Sequence, residues 1–344
     1  MKANVSKQGA PRRRTVRRAA IAATVACVLL GVVGIGAVAA VGVGIRQVLE
    51  KSGYLEDWTD ADGVCVEGVP YGPNDWNKLD LYFPKEIAPE RSRGAVLFIH
   101  GGAWSGGRRG DMAGFARRTA KGGYVAASLG YMLSGDQTEA GYSINAVMDE
   151  IDAALKTLKE EATKRGAPLE KVALSGDSAG GHIATLYAYS RGKDAPLPVV
   201  FVAPRVGPSD FHLETWPNLE PQTVAGLVSK LARTETTVEA MKAKTPEAEA
   251  AIAAISPATF AENGGAIPTL AAYGGEDGLV PTPHRERLVA ALEKAGVPFD
   301  VVDFPNSGHM LESDPEATER RRELFFEYAE RYLNVKAEAP QAAE

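Results

Sequence analysis

Lys171-Val172-Ala173-Leu174-Ser175-Gly176-Asp177-Ser178-Ala179-Gly180-Gly181 decides the reading of this chain. A short apolar strand at Val172–Leu174 runs into Gly176-Asp177-Ser178-Ala179-Gly180, and the helix-like run His182–Ser190 follows at once. Strand, G-x-S-x-G and helix in this order form a nucleophile elbow, a tight turn that holds a serine at its tip with Oγ exposed. Gly176 and Gly180 lack Cβ atoms, so the turn can be sharp and the helix can approach the strand. The competing reading is a glycine-rich turn with an incidental serine. It weakens as partners for Ser178 are found in the right order.

The five histidines are His100, His182, His212, His284 and His309. His309 follows the last expected strand, in Asn306-Ser307-Gly308-His309, where a loop can return an imidazole to the serine. His182 lies four residues past Ser178 and is expected to pack beneath the elbow, while His212 and His284 are expected on the surface or in a cap. Asp277, in Gly274-Gly275-Glu276-Asp277 after another strand, precedes His309 by 32 residues, room for one helix and one strand. The order Ser178, Asp277, His309 is the one that elbow-type hydrolases use. Asp277 as a turn cap is the alternative, and Glu276, Asp300 and Asp303 are poorer candidates by position. The oxyanion donors are expected from His100-Gly101-Gly102-Ala103-Trp104, after the strand Ala95–His100, with the N–H of Ala179 as a further donor. Glycines there let N–H groups of Gly102 and Ala103 converge on a developing negative oxygen, with Gly101 shaping the turn.

Strands are expected at 64–69, 78–83, 95–100, 124–129, 172–174, 198–203, 267–273 and 298–304, alternating with helices at 111–121, 144–165, 182–190, 284–295 and 317–333. This alternation predicts an α/β fold with a mostly parallel eight-stranded sheet flanked by helices. It breaks at about 206–256, where aromatic and proline residues lead into helical sequence; this reads as a cap insertion over the strand ends. Within it Phe211 and Trp216, together with Trp104, are expected to line a substrate pocket.

The 344 residues carry a net charge of −6, divided as +8 over residues 1–51 and −14 over the rest. An acidic body of this kind argues against nucleic-acid binding. Residues 1–18 form a basic N-terminus that precedes Ala19–Ile45, 27 residues without a charge. As a helix this run spans about 40 Å, enough to cross a membrane. The flanking arginines place the body outside the cytoplasm. The rival is a signal peptide cleaved after Ala37-Val38-Ala39, which would leave a secreted enzyme, although the apolar run is long for one. Residues 46–61 read as a linker, 62–334 as the catalytic domain and 335–344 as a disordered tail. Cys27 and Cys65 are the two cysteines, and no disulfide is expected between the apolar segment and the body. No cluster of His and acidic residues has ligand spacing, so neither metal nor organic cofactor is expected; the oligomeric state is left open.

YGPNDWNKLDLYFP, AVLFIHGGAWSGG, KVALSGDSAGGHIA, YGGEDGLVP and NSGH together resemble the α/β-hydrolase carboxylesterases of the hormone-sensitive-lipase-like and BD-FAE-like type. The resemblance extends over about residues 64–333 and implies a serine ester hydrolase with a Ser178-Asp277-His309 triad. A preference for short acyl chains is expected from Ala103 in place of the third glycine of the oxyanion loop and from Phe211 and Trp216 in an insertion long enough to cover the site. Two departures stand out. The oxyanion motif is HGGA and not HGGG, from which a narrower acyl pocket is expected; with Trp104 it also fits the H-G-G-x-W form of kynurenine-formamidase-like enzymes. The family's Tyr-Arg after the fourth strand is Tyr131-Met132, which removes an arginine and the salt bridge it would make. An amide hydrolase of the same fold, formamidase-like or prolyl-peptidase-like, and a catalytically silent surface-anchored binding protein are the alternatives.

Overall fold

Eight strands form one sheet in the order β1-β2-β4-β3-β5-β6-β7-β8: Gly63–Pro70 (β1), Lys78–Pro84 (β2), Gly94–Ile99 (β3), Val125–Leu129 (β4), Lys171–Asp177 (β5), Val199–Arg205 (β6), Thr269–Gly274 (β7) and Phe299–Phe304 (β8). β2 runs antiparallel to both β1 and β4, and every other pair is parallel. The computed structural model describes residues 46–88, 91, 93–136 and 141–334. The expected membrane span at 19–45 and tail at 335–344 lie outside these residues. Among the described residues no helix is long and apolar enough to cross a membrane.

All residues of β3, β4 and β7 are buried, which explains their largely apolar sequences: helices cover both faces of the sheet. One face carries α1 (Ala113–Lys121) and the last long helix, Pro315–Leu333, packed through Phe98, Phe115, Phe201 and Phe325. The other carries α2 (Ile144–Lys164) and α3 (Ala179–Ser190). The expected apolar stripe of α2, Ile144, Val147, Met148, Ile151, Ala154, Leu155 and Leu158, is buried throughout. The side chain of Ser143 accepts from the N–H of Ala146 and starts that helix. Every residue of α3 except its last is buried, as a helix apolar all round must be.

The chain adds β4 to one side of β3 and β5 to the other. This is the switch point at which open α/β sheets leave a crevice outside the carboxyl ends of their strands. The loop after β3 carries Gly101–Trp104, and the turn after β5 carries Ser178.

Between β6 and β7 the insertion folds into α4 (Pro221–Ala232), α5 (Val238–Ala243) and α6 (Pro246–Ile255), with α4 packed on α6. Beyond β7, α7 (Thr282–Ala295) precedes β8, and Pro315–Leu333 is α8. Residues 52–58, expected as linker, lie against the body. Ser52 and Gly53 are buried, Tyr54 meets Phe115 with ring centroids 5.1 Å apart, and Trp58 meets Tyr82 at 5.8 Å.

Candidate active site

Ser178 sits between β5 and α3 with φ 54° and ψ −120°. Positive φ is unfavourable for a residue with a Cβ and costs of order 1–3 kcal/mol where the surroundings enforce it. Here they do. The Ser178 N–H donates to the carbonyl of Arg205 at 2.9 Å, and the Ser178 carbonyl accepts from His182 N at 2.9 Å. A Cβ on Gly180 would lie 2.1 Å from the carbonyl oxygen of Ile99, so α3 can start this close to β3 only with glycine at that position.

The loop after β3 lies directly against this turn: a Cβ on Gly101 would fall 2.8 Å from the carbonyl oxygen of Asp177 and 3.2 Å from Cβ of Ser178. Gly102 takes φ 120°, and Ala103 and Trp104 follow with φ 51° and 58°. The Gly102 carbonyl accepts from both Ser105 N and Gly106 N, which fixes the loop. Ala179 is the first residue of α3, so its N–H has no acceptor within the helix and adds to the positive end of the dipole. An anion beside Ser178 therefore meets a helix N-terminus.

At the same end of the sheet, the loops after β7 and β8 meet. Glu276 N donates to the Ser307 carbonyl at 2.9 Å. Asp277 is buried; its Oδ1 accepts from Leu279 N at 2.8 Å and Val280 N at 3.0 Å, and its Oδ2 lies 2.8 Å from Nδ1 of His309. Three contacts fix the carboxylate, and it in turn orients an imidazole that is half-buried. Asp314 pins the histidine loop: its Oδ2 accepts from Ser307 Oγ at 2.6 Å and Asn306 N at 3.0 Å. Glu276 is exposed, and Asp303 pairs with Arg285 at 2.5 and 2.7 Å.

Trp104, Phe211 and Trp216 do not line an open pocket. Trp104 and Trp216 are each 4% exposed and Phe211 is fully buried. They pack on one another, with ring centroids 6.0 Å apart for Trp104–Phe211 and 5.6 Å for Phe211–Trp216. The reason is area: three large rings, one from the loop after β3 and two from the start of the insertion, gain more by closing a core over α3 than by facing water. Their polar atoms are satisfied from within, since Trp216 Nε1 donates to the Asp210 carbonyl at 3.1 Å and Trp104 Nε1 to His182 Nδ1 at the same distance.

His284, expected on the surface or in a cap, is fully buried under Trp216 of the insertion, with ring centroids 4.3 Å apart, and its Nδ1 accepts from Ser209 N at 3.3 Å. Burial lowers its pKa to about 3, and lowers that of His182 to about 4. His212 does lie in the insertion, at its edge. Its Nδ1 is 2.6 Å from Asp210 Oδ1, and the hydrogen bond to that carboxylate raises its pKa to about 9.

Sequence reasoning missed two features. Asp177, inside the elbow motif, is buried and pairs with Arg205 at 3.3 Å. Arg205 ends β6, and a charge closing a buried strand was the available signal. Glu150 is the second. It takes the N–H of Met132 at 2.7 Å, Trp76 Nε1 at 2.8 Å and Asn77 Nδ2 at 2.7 Å, and so ties the end of β4 to the turn before β2.

Comparison with known proteins agrees with this architecture. Esterase LipQ of Mycobacterium tuberculosis is 25% identical over 265 residues, covering 74% of this chain and 58% of the relative, so the chain spans under two thirds of that protein's length. Esterase B of Lactobacillus rhamnosis superposes with a TM-score of 0.63 at 18% identity, covering 91% of this chain and 96% of that one. The Thermogutta terrifontis esterase Est2 superposes at 0.58 with 21% identity, covering 81% and 95%. Likeness at these identities shows the α/β-hydrolase fold. The BD-FAE family profile matches residues 79–292, from β2 through most of α7, and the chain belongs to that family.

Proposed function

We propose that the chain is a serine carboxylic-ester hydrolase acting on short acyl esters through an acyl-enzyme. The observation that carries this reading is the backbone of Ser178, held at φ 54° in the turn from β5 to α3, at the sheet end where His309 meets Asp277. Ser178 Oγ attacks the acyl carbon while Nε2 of His309 takes its proton. Asp277 engages the Nδ1–H, which leaves Nε2 as the basic nitrogen, and stabilises the imidazolium that forms. The tetrahedral oxyanion is held by the N–H groups of Gly102, Ala103 and Ala179. Collapse expels the alkoxide, which leaves as the alcohol with the proton from His309. A water then gives its proton to the same nitrogen and attacks the acyl carbon, releasing the acid and restoring Ser178.

The family and the esterase relatives support ester hydrolysis. The Est2 structures with bound butyrate and propionate, and Esterase B inhibited by a tributyrin-type phosphonate, support a short acyl group. The test is hydrolysis of nitrophenyl butyrate beside an aryl formamide, with labelling by a fluorophosphonate. Ser178→Ala is expected to lower ester turnover by about 10³-fold or more and to abolish labelling. Labelling that survives the substitution, or faster turnover of the formamide, overturns the proposal.

We also propose that residues 19–45 anchor the chain with its body outside the cytoplasm. The support is the arginine cluster ahead of 27 uncharged residues. Protease added to intact cells is expected to release an active fragment. A mature N-terminus at Ala40, or protection until lysis, contradicts the anchor or its orientation.

A further inference from the structure

Between α1, α8 and the strap at 50–53, a cleft of about 210 Å³ opens on the face of the sheet opposite the insertion. Phe98, Phe115, Phe304 and Phe325 form its apolar walls. Two arginines also line it, and both are buried: Arg205 is 4% exposed and Arg321 is 8% exposed. Arg205 has an anionic partner. Its Nη1 donates to Asp177 Oδ2 at 3.3 Å and its Nη2 to the Ser52 carbonyl at 3.1 Å, while its guanidinium stacks on Phe115 and Tyr54 at 4.6 and 5.0 Å.

Arg321 instead meets a neutral acceptor. Its Nη2 donates to the Ala203 carbonyl at 3.2 Å, and its Nε is buried without a partner among the described residues. Ser52, 3% exposed, likewise presents an unpartnered hydroxyl to the cleft. The cations at the rim are already paired, Arg118 with Glu56 at 3.1 Å and Arg322 with Glu319. Asp177, Arg205 and Arg321 together carry a net charge of +1 away from water, and Glu50 lines the same cleft. Burial, and then the charge of Arg205, lower the Arg321 pKa to about 9, so it is still a cation at neutral pH. A buried cation with a spare donor is unfavourable unless something negative completes it. The space also far exceeds the ~10–15 Å³ that one water needs.

We propose that this cleft is a binding site for a small oxyanion, a phosphate or a carboxylate, held by the Arg321 guanidinium and the Ser52 hydroxyl. An oxyanion accepts the free Nε–H and the Oγ–H together, and it neutralises the charge that Asp177 leaves over. The site is distinct from the one at Ser178: it lies beneath the sheet end, among side chains that the hydrolytic steps do not use.

The test uses the full chain in detergent, titrated with sodium phosphate and separately with sodium acetate, each against sodium chloride at matched ionic strength. Wild type is expected to show a saturable rise in thermal midpoint with at least one of the two, and the arm that saturates names the anion. Arg321→Met is expected to weaken the response at least tenfold, and Ser52→Ala several-fold. Broadening of the ³¹P signal of phosphate by wild type, relieved by sulfate, reads the same site without depending on any variant's folding. No response beyond chloride in either arm together with an unbroadened ³¹P line, or a response retained in full by Arg321→Met, overturns the proposal.

Discussion

Trp104 Nε1 donates to Nδ1 of His182 at 3.1 Å, and the other nitrogen of that ring donates to the Ile255 carbonyl at 2.7 Å. One neutral imidazole thus joins the loop after β3, the helix that follows Ser178 and the last long helix of the insertion. Trp104→Phe removes the donor and leaves a buried acceptor unpaired, at a cost of about 1–3 kcal/mol. Denaturant unfolding should show that loss. Because Trp104 continues the left-handed run from Gly102, kcat for an aryl ester should fall while KM changes little.

Asp277→Asn keeps an oxygen for Leu279 N and Val280 N, so the loop should hold its shape. It removes the acceptor for the His309 Nδ1 proton and favours the wrong tautomer, for which the expected loss in kcat is about 10⁴-fold. Steady-state kinetics beside an unchanged circular dichroism spectrum checks this. A loss under tenfold would mean that another carboxylate serves His309.

Acid should unfold the protein early. His182 and His284 are buried neutral, with pKa values near 4 and 3 against about 6.5 when unfolded. The unfolded chain therefore binds more protons between these limits. The stability these two groups confer is full above about pH 6.5 and falls as pH drops toward 4, by up to about 1.4 kcal/mol per pH unit for each. Urea midpoints measured from pH 7 to 4 should fall in wild type, and His182→Gln and His284→Gln should each flatten the slope.

His212 works in the opposite sense. Asp210 raises its pKa to about 9, with Glu249 at 3.3 Å on the other nitrogen and Arg287 also on Asp210 at 3.0 Å. A raised pKa stabilises the fold fully below the unfolded value of about 6.5, and the gain is lost as pH rises through 9. Thermal midpoints should decline between about pH 7 and 9.5 in wild type, and His212→Gln should remove most of that decline.

Short acyl groups should be preferred. Phe211 and Trp216 fill the base of the insertion and do not wall a channel, so a long chain finds no apolar groove from them. Each methylene would gain about 0.8 kcal/mol in such a groove. kcat/KM is expected to fall from butyrate to decanoate esters. A steady rise over that series, or activation at a lipid interface, would contradict this.

The strands were legible because most are apolar runs closed by turn residues, and the elbow because glycine spacing there answers to backbone contact. Asp277 and His309 were legible because each follows a strand into a short glycine-bearing loop. Other features depend on tertiary context that local pattern does not carry. Gly53 and Tyr54 look like linker until Phe115 and Arg118 are placed beside them; Arg118 Nη1 donates to the Gly53 carbonyl at 3.0 Å. His284 opens a helix among polar neighbours, and only the fold of the insertion brings Trp216 over it. Arg321 lies in a strongly charged helix whose buried face is set by Phe325 and Tyr328, and no periodicity marks one arginine there as buried.

The cleft at Arg321 is walled by both ends of the body, residues 50–53 and 318–326. During synthesis the first wall leaves the ribosome long before the second. At about 5–20 residues per second the delay is on the order of 10–50 s. Until α8 arrives, Phe98 and Phe201 have no cover from Phe325, and the strap has only half of its seat. The strands between can pair in that interval, but the sheet face stays open and sticky. The nascent chain thus depends on α8 for solubility, and truncation within 315–333 would act through aggregation and chaperone capture more than through chemistry at Ser178.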